Sequence, residues 1–428
     1  MTLIKERPKP KVNDPIEVLI PEARQRSRQR RLRAWSLVIL ALILGLSAWV
    51  GSGGLNSSTN RVSGGRPTHR VIPVLAIGTV MKASSVVGLK MFTPSRGLAI
   101  STTWNASHQK AIQSYLTATK NAGDSWKIVG RLPMPMATPL MAFISPTEGY
   151  VAGYQQANSS FLTLNGGRTW TKVAVKGLAT ALSVSGNSVW VIAGDCPLKY
   201  QQGPWCATYL NVLAPGDLKP TAIRPITVND PQLRATIPKA PSTLAARFLA
   251  RTGPQGALVV EGADGPNSIL STTDAGRSWR MVNNPCKSVF VGAAAAVTSS
   301  RWYLFCSLDG GMQQGTNLLY ETWNGGTNWT LLAQGHIQGA NTGGLTDGVM
   351  GNFATNSTGS VLWYANIDGA INVSTDGGRN WLVNRKAIAS MWSPVGFVSV
   401  GSSAFEALSG GGLIRTTNGT TWAVVRSK

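Results

Sequence analysis

An Asp/Asn-x-Gly-x-x-Trp motif recurs six times in the C-terminal three quarters of the chain, and each copy follows a short strand-like apolar run. The spacing between copies is close to the length of one four-stranded sheet. These observations predict an all-β fold, a seven-bladed β-propeller of four-stranded blades. A basic N-terminal tail and one transmembrane helix are expected to precede it. Composition agrees. The 428 residues are too many for one ordinary compact domain, so several domains or one large repeated architecture is expected. With 47 glycines and 15 tryptophans, the chain is equipped for many tight turns and for a repeat that reuses tryptophan. A hydrophobic content of 43% excludes a mostly disordered chain.

Residues 1–33 form the tail, with six arginines between Arg24 and Arg33. Residues 34–51, AWSLVILALILGLSAWVG, carry no charge and would span about 27 Å as a helix, close to a bilayer core. Trp35 and Trp49 sit where interfacial tryptophans belong, and arginine before the segment predicts a cytoplasmic N-terminus with the remainder outside. A cleaved signal peptide is the competing reading. The long basic region and the lack of a small-x-small cleavage site favour an uncleaved anchor. Residues 52–69 then read as a flexible Gly/Ser/Asn-rich linker, and 70–428 as the propeller.

The motif copies are KNAGDSW (120–126), NGGRTW (165–170), DAGRSW (274–279), NGGTNW (324–329), DGGRNW (376–381) and TNGTTW (417–422). The Asp or Asn (Asn121, Asn165, Asp274, Asn324, Asp376) is suited to capping backbone amides in a turn. The glycine two residues on (Gly123, Gly167, Gly276, Gly326, Gly378, with Gly419 in the last copy) supplies a backbone conformation that a side chain obstructs. The tryptophan (Trp126, Trp170, Trp279, Trp329, Trp381, Trp422) begins the return strand and is large enough to pack between repeats. In the last copy Thr417 stands where Asp or Asn is expected. Four tryptophan intervals run from about 41 to about 52 residues, while Trp170 to Trp279 is about twice as long. That interval hides an unboxed blade. SVSGNSVWVIAG (183–194) matches FISPTEGYVAG (143–153), and YLNVLAPGDLKPTAI (209–223) replaces the boxed hairpin. The total is seven.

These repeats resemble Asp-box, or BNR, β-propellers. The fuller pattern, best seen in LMAFISPTEGYVAGYQQANSSFLTLNGGRTW (140–170), is most similar to photosystem II stability/assembly factor-like propellers. Sialidase-type propellers are more distant relatives. The resemblance covers roughly residues 84–428. It implies the fold, and it implies function weakly, because hydrolases and sorting receptors share the box.

All four cysteines follow the apolar segment, in a compartment where disulfides persist. Cys196 and Cys206 bracket a loop of the unboxed blade. Cys286 precedes the first strand of the fifth blade, and Cys306 lies near the end of its second strand, at the same face of an antiparallel sheet. Pairings 196–206 and 286–306 are therefore the geometrically sensible choice among three connectivities. The region after the span carries a net charge of about +16, scattered through the repeats. It suits an anionic polymer or headgroup partner, or reflects adaptation to acid surroundings, where Asn remains an acceptor. No specific nucleic-acid site is expected.

Catalytic signals are sparse. Tyr320-Glu321 is the only adjacent pair of the sialidase type, and strand neighbours point to opposite faces. Arg70-Val71-Ile72-Pro73 is only a loose echo of that family's Arg-Ile-Pro signature. Glu148, Glu261, Asp347 and Glu406 are candidate glycosidase carboxylates that sequence cannot pair. Three scattered histidines (His69, His108, His336) argue against a histidine metal framework, and neither metal nor cofactor is expected. The reading is a membrane-anchored extracytoplasmic propeller acting as a non-catalytic interaction or assembly scaffold for a protein or anionic envelope polymer. The alternative is a glycan-binding protein or glycoside hydrolase. Residues 198–205 are a candidate accessory loop, and the box residues are expected to be structural.

Overall fold

The computed structural model describes residues 74–82, 85–105, 110–154, 156–194, 208–226, 245–261, 268–286, 290–308, 316–335, 345, 350–366, 370–385, 394–408 and 412–425. The chain divides into two units, Met1–Ile72 and Pro73–Lys428, and every described residue belongs to the second. The expected tail, span and linker lie outside the described residues. Among the described residues no helix is long and apolar enough to cross a membrane.

The second unit is a seven-bladed propeller, as the repeats predict. Blade one is built from Val86–Met91, Gly97–Trp104, Ala111–Thr119 and Trp126–Arg131. Blade two uses Pro139–Phe143, Gly149–Gly153, Phe161–Thr163 and Thr171–Lys172. The unboxed blade three uses Leu178–Ser185, Ser188–Gly194, Thr208–Leu213 and Ala222–Pro225. Blade four follows with Ala245–Thr252, Gln255–Glu261, Ser268–Thr272 and Arg280–Val282. In blade five the strands are Phe290–Ala296, Trp302–Leu308, Thr316–Thr322 and Thr330–Gln334. Blade six has Met350–Thr355, Leu362–Asn366, Ile371–Ser374 and Leu382–Arg385. Blade seven closes with Pro394–Val400, Ser403–Leu408, Gly412–Thr416 and Trp422–Val425.

Each blade is a meander in which sequence neighbours pair antiparallel. The first strands pack on one another around the ring, and that of blade seven returns to that of blade one. First strands are therefore innermost and fourth strands outermost. In six blades the register slips once near the start of the inner strand. Such a bulge sharpens the local right-handed twist, which suits strands that must splay outward as blades.

The core is interfacial. Apolar side chains of each blade meet those of the next in separate buried clusters, for example Leu98, Ile100 and Leu116 of blade one against Phe143 and Val151 of blade two. Ring closure uses the same chemistry. Trp126, Tyr115 and Ile128 of blade one pack with Phe405, Leu413 and Val425 of blade seven. Arg415 of blade seven also donates to the carbonyl of Ala122 (2.6 Å) and pairs with Asp124 (3.0 Å).

One feature departs from the expected four strands. Val80–Met81 adds a fifth strand to the outer edge of blade one, pairing antiparallel with Trp126–Lys127. Gly78 N–H donates to the Ile128 carbonyl, and Ile128 N–H donates to that of Thr79. The chain thus enters the propeller along its rim.

Candidate functional site

The six motif turns share one hydrogen-bond plan, and part of it falls on a residue outside the motif as read from sequence. Two positions before each Asp or Asn stands a buried hydroxyl: Thr119, Thr163, Thr272, Thr322, Ser374 and Thr416. Each donates to the carboxylate or amide oxygen at 2.8–3.2 Å. In the first five copies it also accepts the motif glycine's N–H at 2.8–3.0 Å. The same side-chain oxygen then accepts the N–H of the residue four positions on, Ser125, Thr169, Ser278, Asn328 or Asn380. The Ser/Thr was visible in every strand run, but its role needs the three-dimensional turn.

In the last copy the structure corrects the sequence register. Asn418, not Thr417, takes the Asx position: its Oδ1 accepts from the Thr416 hydroxyl and from the N–H groups of Thr420 and Thr421. The turn is one residue shorter, so Gly419 follows directly.

Backbone conformation explains the glycines. The motif glycines have φ between +77° and +94°, and in the first five copies the residue before them is left-handed too. At that preceding position two copies use alanine, Ala122 and Ala275, at a cost of about 1–2 kcal/mol each. The conformation aims that residue's N–H at the neighbouring hairpin of the same blade. Ala122 donates to Ser95, Gly166 to Thr147, Ala275 to Pro254, Gly325 to Ser300 and Gly377 to Ser360. The motif glycine meanwhile presses on the preceding blade: a Cβ on Gly123 would lie 2.4 Å from Leu413 Cδ2, and one on Gly276 2.1 Å from Leu210 Cδ2. All six tryptophans enter the wedge between their own blade and the one before it. Trp126, Trp279 and Trp381 are buried, and Trp170, Trp329 and Trp422 are half-buried. The Asx oxygen, the glycine and the indole are all engaged within the fold.

The candidate carboxylates among the described residues lie in unlike places. Glu148 lies in a hairpin of blade two, Glu261 ends the second strand of blade four, and Glu406 is wholly buried in the second strand of blade seven. Asp347 lies outside the described residues. Tyr320 and Glu321 face opposite ways. Tyr320 packs toward blade four, whereas buried Glu321 pairs with Arg301 Nε at 2.8 Å. Arg301 lies over Trp323 and reaches the Thr358 carbonyl of blade six at 2.8 Å. The Tyr303 hydroxyl beside it donates to Gly359 O at 2.9 Å, and burial pushes that phenol well above its ordinary range. The Ser278 hydroxyl and amide, aided by Thr272, hold Asp274 down to about 2. Asp376 is also lowered: its partial burial acts the other way but is outweighed by donors from Asn380, Ser374 and Arg379. Among the described residues no group of three or more His, Cys, Asp and Glu is placed to hold a metal ion.

Several guanidinium groups join blades. Arg224 of blade three donates to the Ala275 carbonyl of blade four. Arg251 of blade four stacks 4.1 Å over the Trp190 ring of blade three and donates to Ser188 O, and burial lowers it to about 10. Part of the basic excess is thus spent on backbone carbonyls at blade junctions.

The two faces of the ring differ. Strand alternation puts the motif turns and the first-to-second hairpins at one face, and the second-to-third and blade-to-blade connections at the other. The turn face carries short, cross-braced links. The longest connections, 195–207, 226–244 and 335–349, all leave from strand ends at the opposite face. The Cys286–Cys306 disulfide also sits there, between a blade-to-blade connection and the end of a second strand. Cys196, Cys206 and the loop 198–205 lie outside the described residues. The unboxed turn of blade three is held instead by the buried Tyr150 of blade two, whose hydroxyl is 3.0 Å from the carbonyls of both Ala214 and Asp217.

No protein-family profile matches the chain, and no curated protein matches it in sequence. Solved structures do. The chain is similar to YCF48 bound to a D1 peptide, at 14% identity over 80% of this chain and 97% of that chain, with a TM-score of 0.51. YCF48 from Cyanidioschyzon merolae matches at 12% identity over 79% of this chain and 98% of that one, with a TM-score of 0.52. A puromycin-hydrolyzing peptidase of Mycobacterium tuberculosis matches at 12% identity and a TM-score of 0.51, over 82% of this chain but 56% of that chain. At these identities the likeness shows the fold.

Proposed function

We propose that the chain is a membrane-attached, extracytoplasmic propeller that holds a protein partner on its connection face, as a non-catalytic assembly scaffold built from Asp-box repeats. The observation that carries this reading is the asymmetry of the two faces. At the turn face the Asx oxygens, glycines and indoles of the motif are occupied in bracing the blades. At the other face the connections are unequal, from 409–411 to 226–244, the arrangement in which a rigid ring presents variable recognition loops. The likeness to a propeller bound to a peptide supports a protein partner. Of the carboxylates that glycan cleavage would need, Glu148 lies in a turn-face hairpin, Glu261 at a strand end of the opposite face, and Glu321 is paired with Arg301 within the fold, which weighs against turnover. Arg24–Arg33 followed by the apolar 34–51 supports an N-terminus inside and a propeller outside.

Cross-linking of the full chain in intact envelopes, followed by mapping of the linked peptides, tests the reading. Links from a recurrent partner protein should fall on the connection-face segments. Links confined to the turn face, or turnover of a glycan panel by the purified chain, would overturn it. External protease should digest the propeller and spare residues 1–33; protection of the propeller would refute the orientation.

A further inference from the structure

We infer that the rim of blade one is a docking surface for anionic lipid headgroups. The inference rests on the reading of the chain as membrane-attached. The patch is formed by the edge segment 74–82 and by Trp126–Arg131, the strand it covers. Val74, Ile77 and Val80 are 59%, 72% and 49% exposed, three large apolar side chains within seven residues. They are not loosely placed. Leu75 and Met81 of the same segment pack into the blade seven–blade one core, and Leu75 N–H donates to the Tyr115 hydroxyl at 3.1 Å, so Ile77 and Val80 between them are held outward and Val74 flanks the anchored Leu75. Exposed cations surround them. Lys82 follows the strand, Lys127 stands opposite Val80 in the ladder, and Arg131 ends the covered strand. Neither segment contains an acidic residue.

Basic residues on an edge strand have an ordinary purpose, which is to discourage edge-to-edge pairing. That purpose is poorly served by three exposed aliphatic residues beside them. An interfacial lipid site uses both features: aliphatic groups enter the headgroup boundary and lysines meet anionic phosphates. The position of the patch names the occupant. The segment that builds it is where the chain enters the propeller from residue 73, so whatever attaches the N-terminal region to a bilayer leads to this rim.

The test uses the full chain with a specific protease site inserted between Gly53 and Gly54, folded and mixed with vesicles before cleavage. Uncut chain floating with pure phosphatidylcholine vesicles reports the attachment alone. After cleavage, the released propeller should stay on vesicles containing about one third phosphatidylglycerol, leave pure phosphatidylcholine, and come off the former in about 0.5 M salt, where charges are screened within a few ångströms. Its partition between the two vesicle types should differ at least tenfold. The variant K82E/K127E should lose that preference at least tenfold with an unchanged melting temperature, and I77S should weaken binding to the anionic vesicles. Equal partition of the released propeller between the two vesicle types would overturn the inference, as would full binding by K82E/K127E. If uncut chain ignored neutral vesicles while the released propeller still preferred anionic ones, the attachment reading would fail and the lipid site would stand.

Discussion

Replacing Thr272 by valine isolates the hydroxyl that braces the blade-four turn. Valine has nearly the same shape, so packing changes little, and only the polar function is removed. In the structure that hydroxyl donates to Asp274 at 2.8 Å and accepts from Gly276 N–H at 2.9 Å. Its loss removes a hydrogen bond to a carboxylate and leaves the amide of a buried glycine unpaired, together about 2–4 kcal/mol. A buried methyl in place of the hydroxyl returns about 0.8 kcal/mol. The net expectation is about 1–3 kcal/mol, which for a unit of this size lowers the melting temperature by roughly 2–4 °C. Thr272→Ser is the control, because Ser374 fills the same position in blade six with the same two bonds. Differential scanning calorimetry of wild type, T272V and T272S decides the matter. A valine variant melting within 1 °C of wild type (about 0.7 kcal/mol by the same conversion), or a serine variant as damaged as the valine one, would refute the assignment.

Other perturbations test neighbouring parts of the scheme. Trp381→Ala should cost about 3–5 kcal/mol as a large-to-small substitution between blades, against about 1–2 kcal/mol for Asp376→Ala, both read from urea midpoints. If Asp376→Ala left stability intact and abolished partner binding, the box residues would be functional after all. Asp274 and Asp376 have lowered folded pKa values, so the stability they contribute is present above the ordinary carboxylate range and is lost as pH falls below it, for Asp274 down to about 2. The variant D274N/D376N should therefore show a shallower loss of urea midpoint between pH 4 and pH 2.5, and an unchanged slope would count against these carboxylates. Non-reducing peptide mapping should recover Cys286 linked to Cys306, and C286S/C306S should lose on the order of 3 kcal/mol in the chain-entropy model.

The blades were legible in the sequence because the signal is redundant. A motif that misses its residue in one copy is recovered from five others, and even the unboxed blade shows through the match of 183–194 to 143–153. Three things were not legible, each for a physical reason. The Thr or Ser two positions before the Asx looked like one more β-former, since its two bonds reach residues that only the turn brings near it. The one-residue shortening at Asn418 was hidden because Gly419 and Trp422 keep their mutual spacing while the Asx moves. The edge strand Val80–Met81 is too short for an alternation pattern, and its pairing partner lies more than forty residues away. Site chemistry was legible only in the negative. The opposite orientation of Tyr320 and Glu321 follows from strand geometry, but the Arg301 that binds Glu321 comes from the hairpin just before the adjacent strand.

Every blade is assembled from consecutive strands, and among the described residues the ring is joined between blade seven and blade one by side chains rather than by a strand borrowed across the junction. A blade is therefore also a contiguous stretch of coding sequence. A recombination event can duplicate, exchange or delete one whole blade without leaving a neighbour half-built. No single blade is irreplaceable as the clasp, so circularly permuted genes that begin at another blade boundary should encode the same ring. The uneven boxes, with asparagine in some, aspartate in others and none in the third, are what such a history leaves once tandem copies of one unit drift apart.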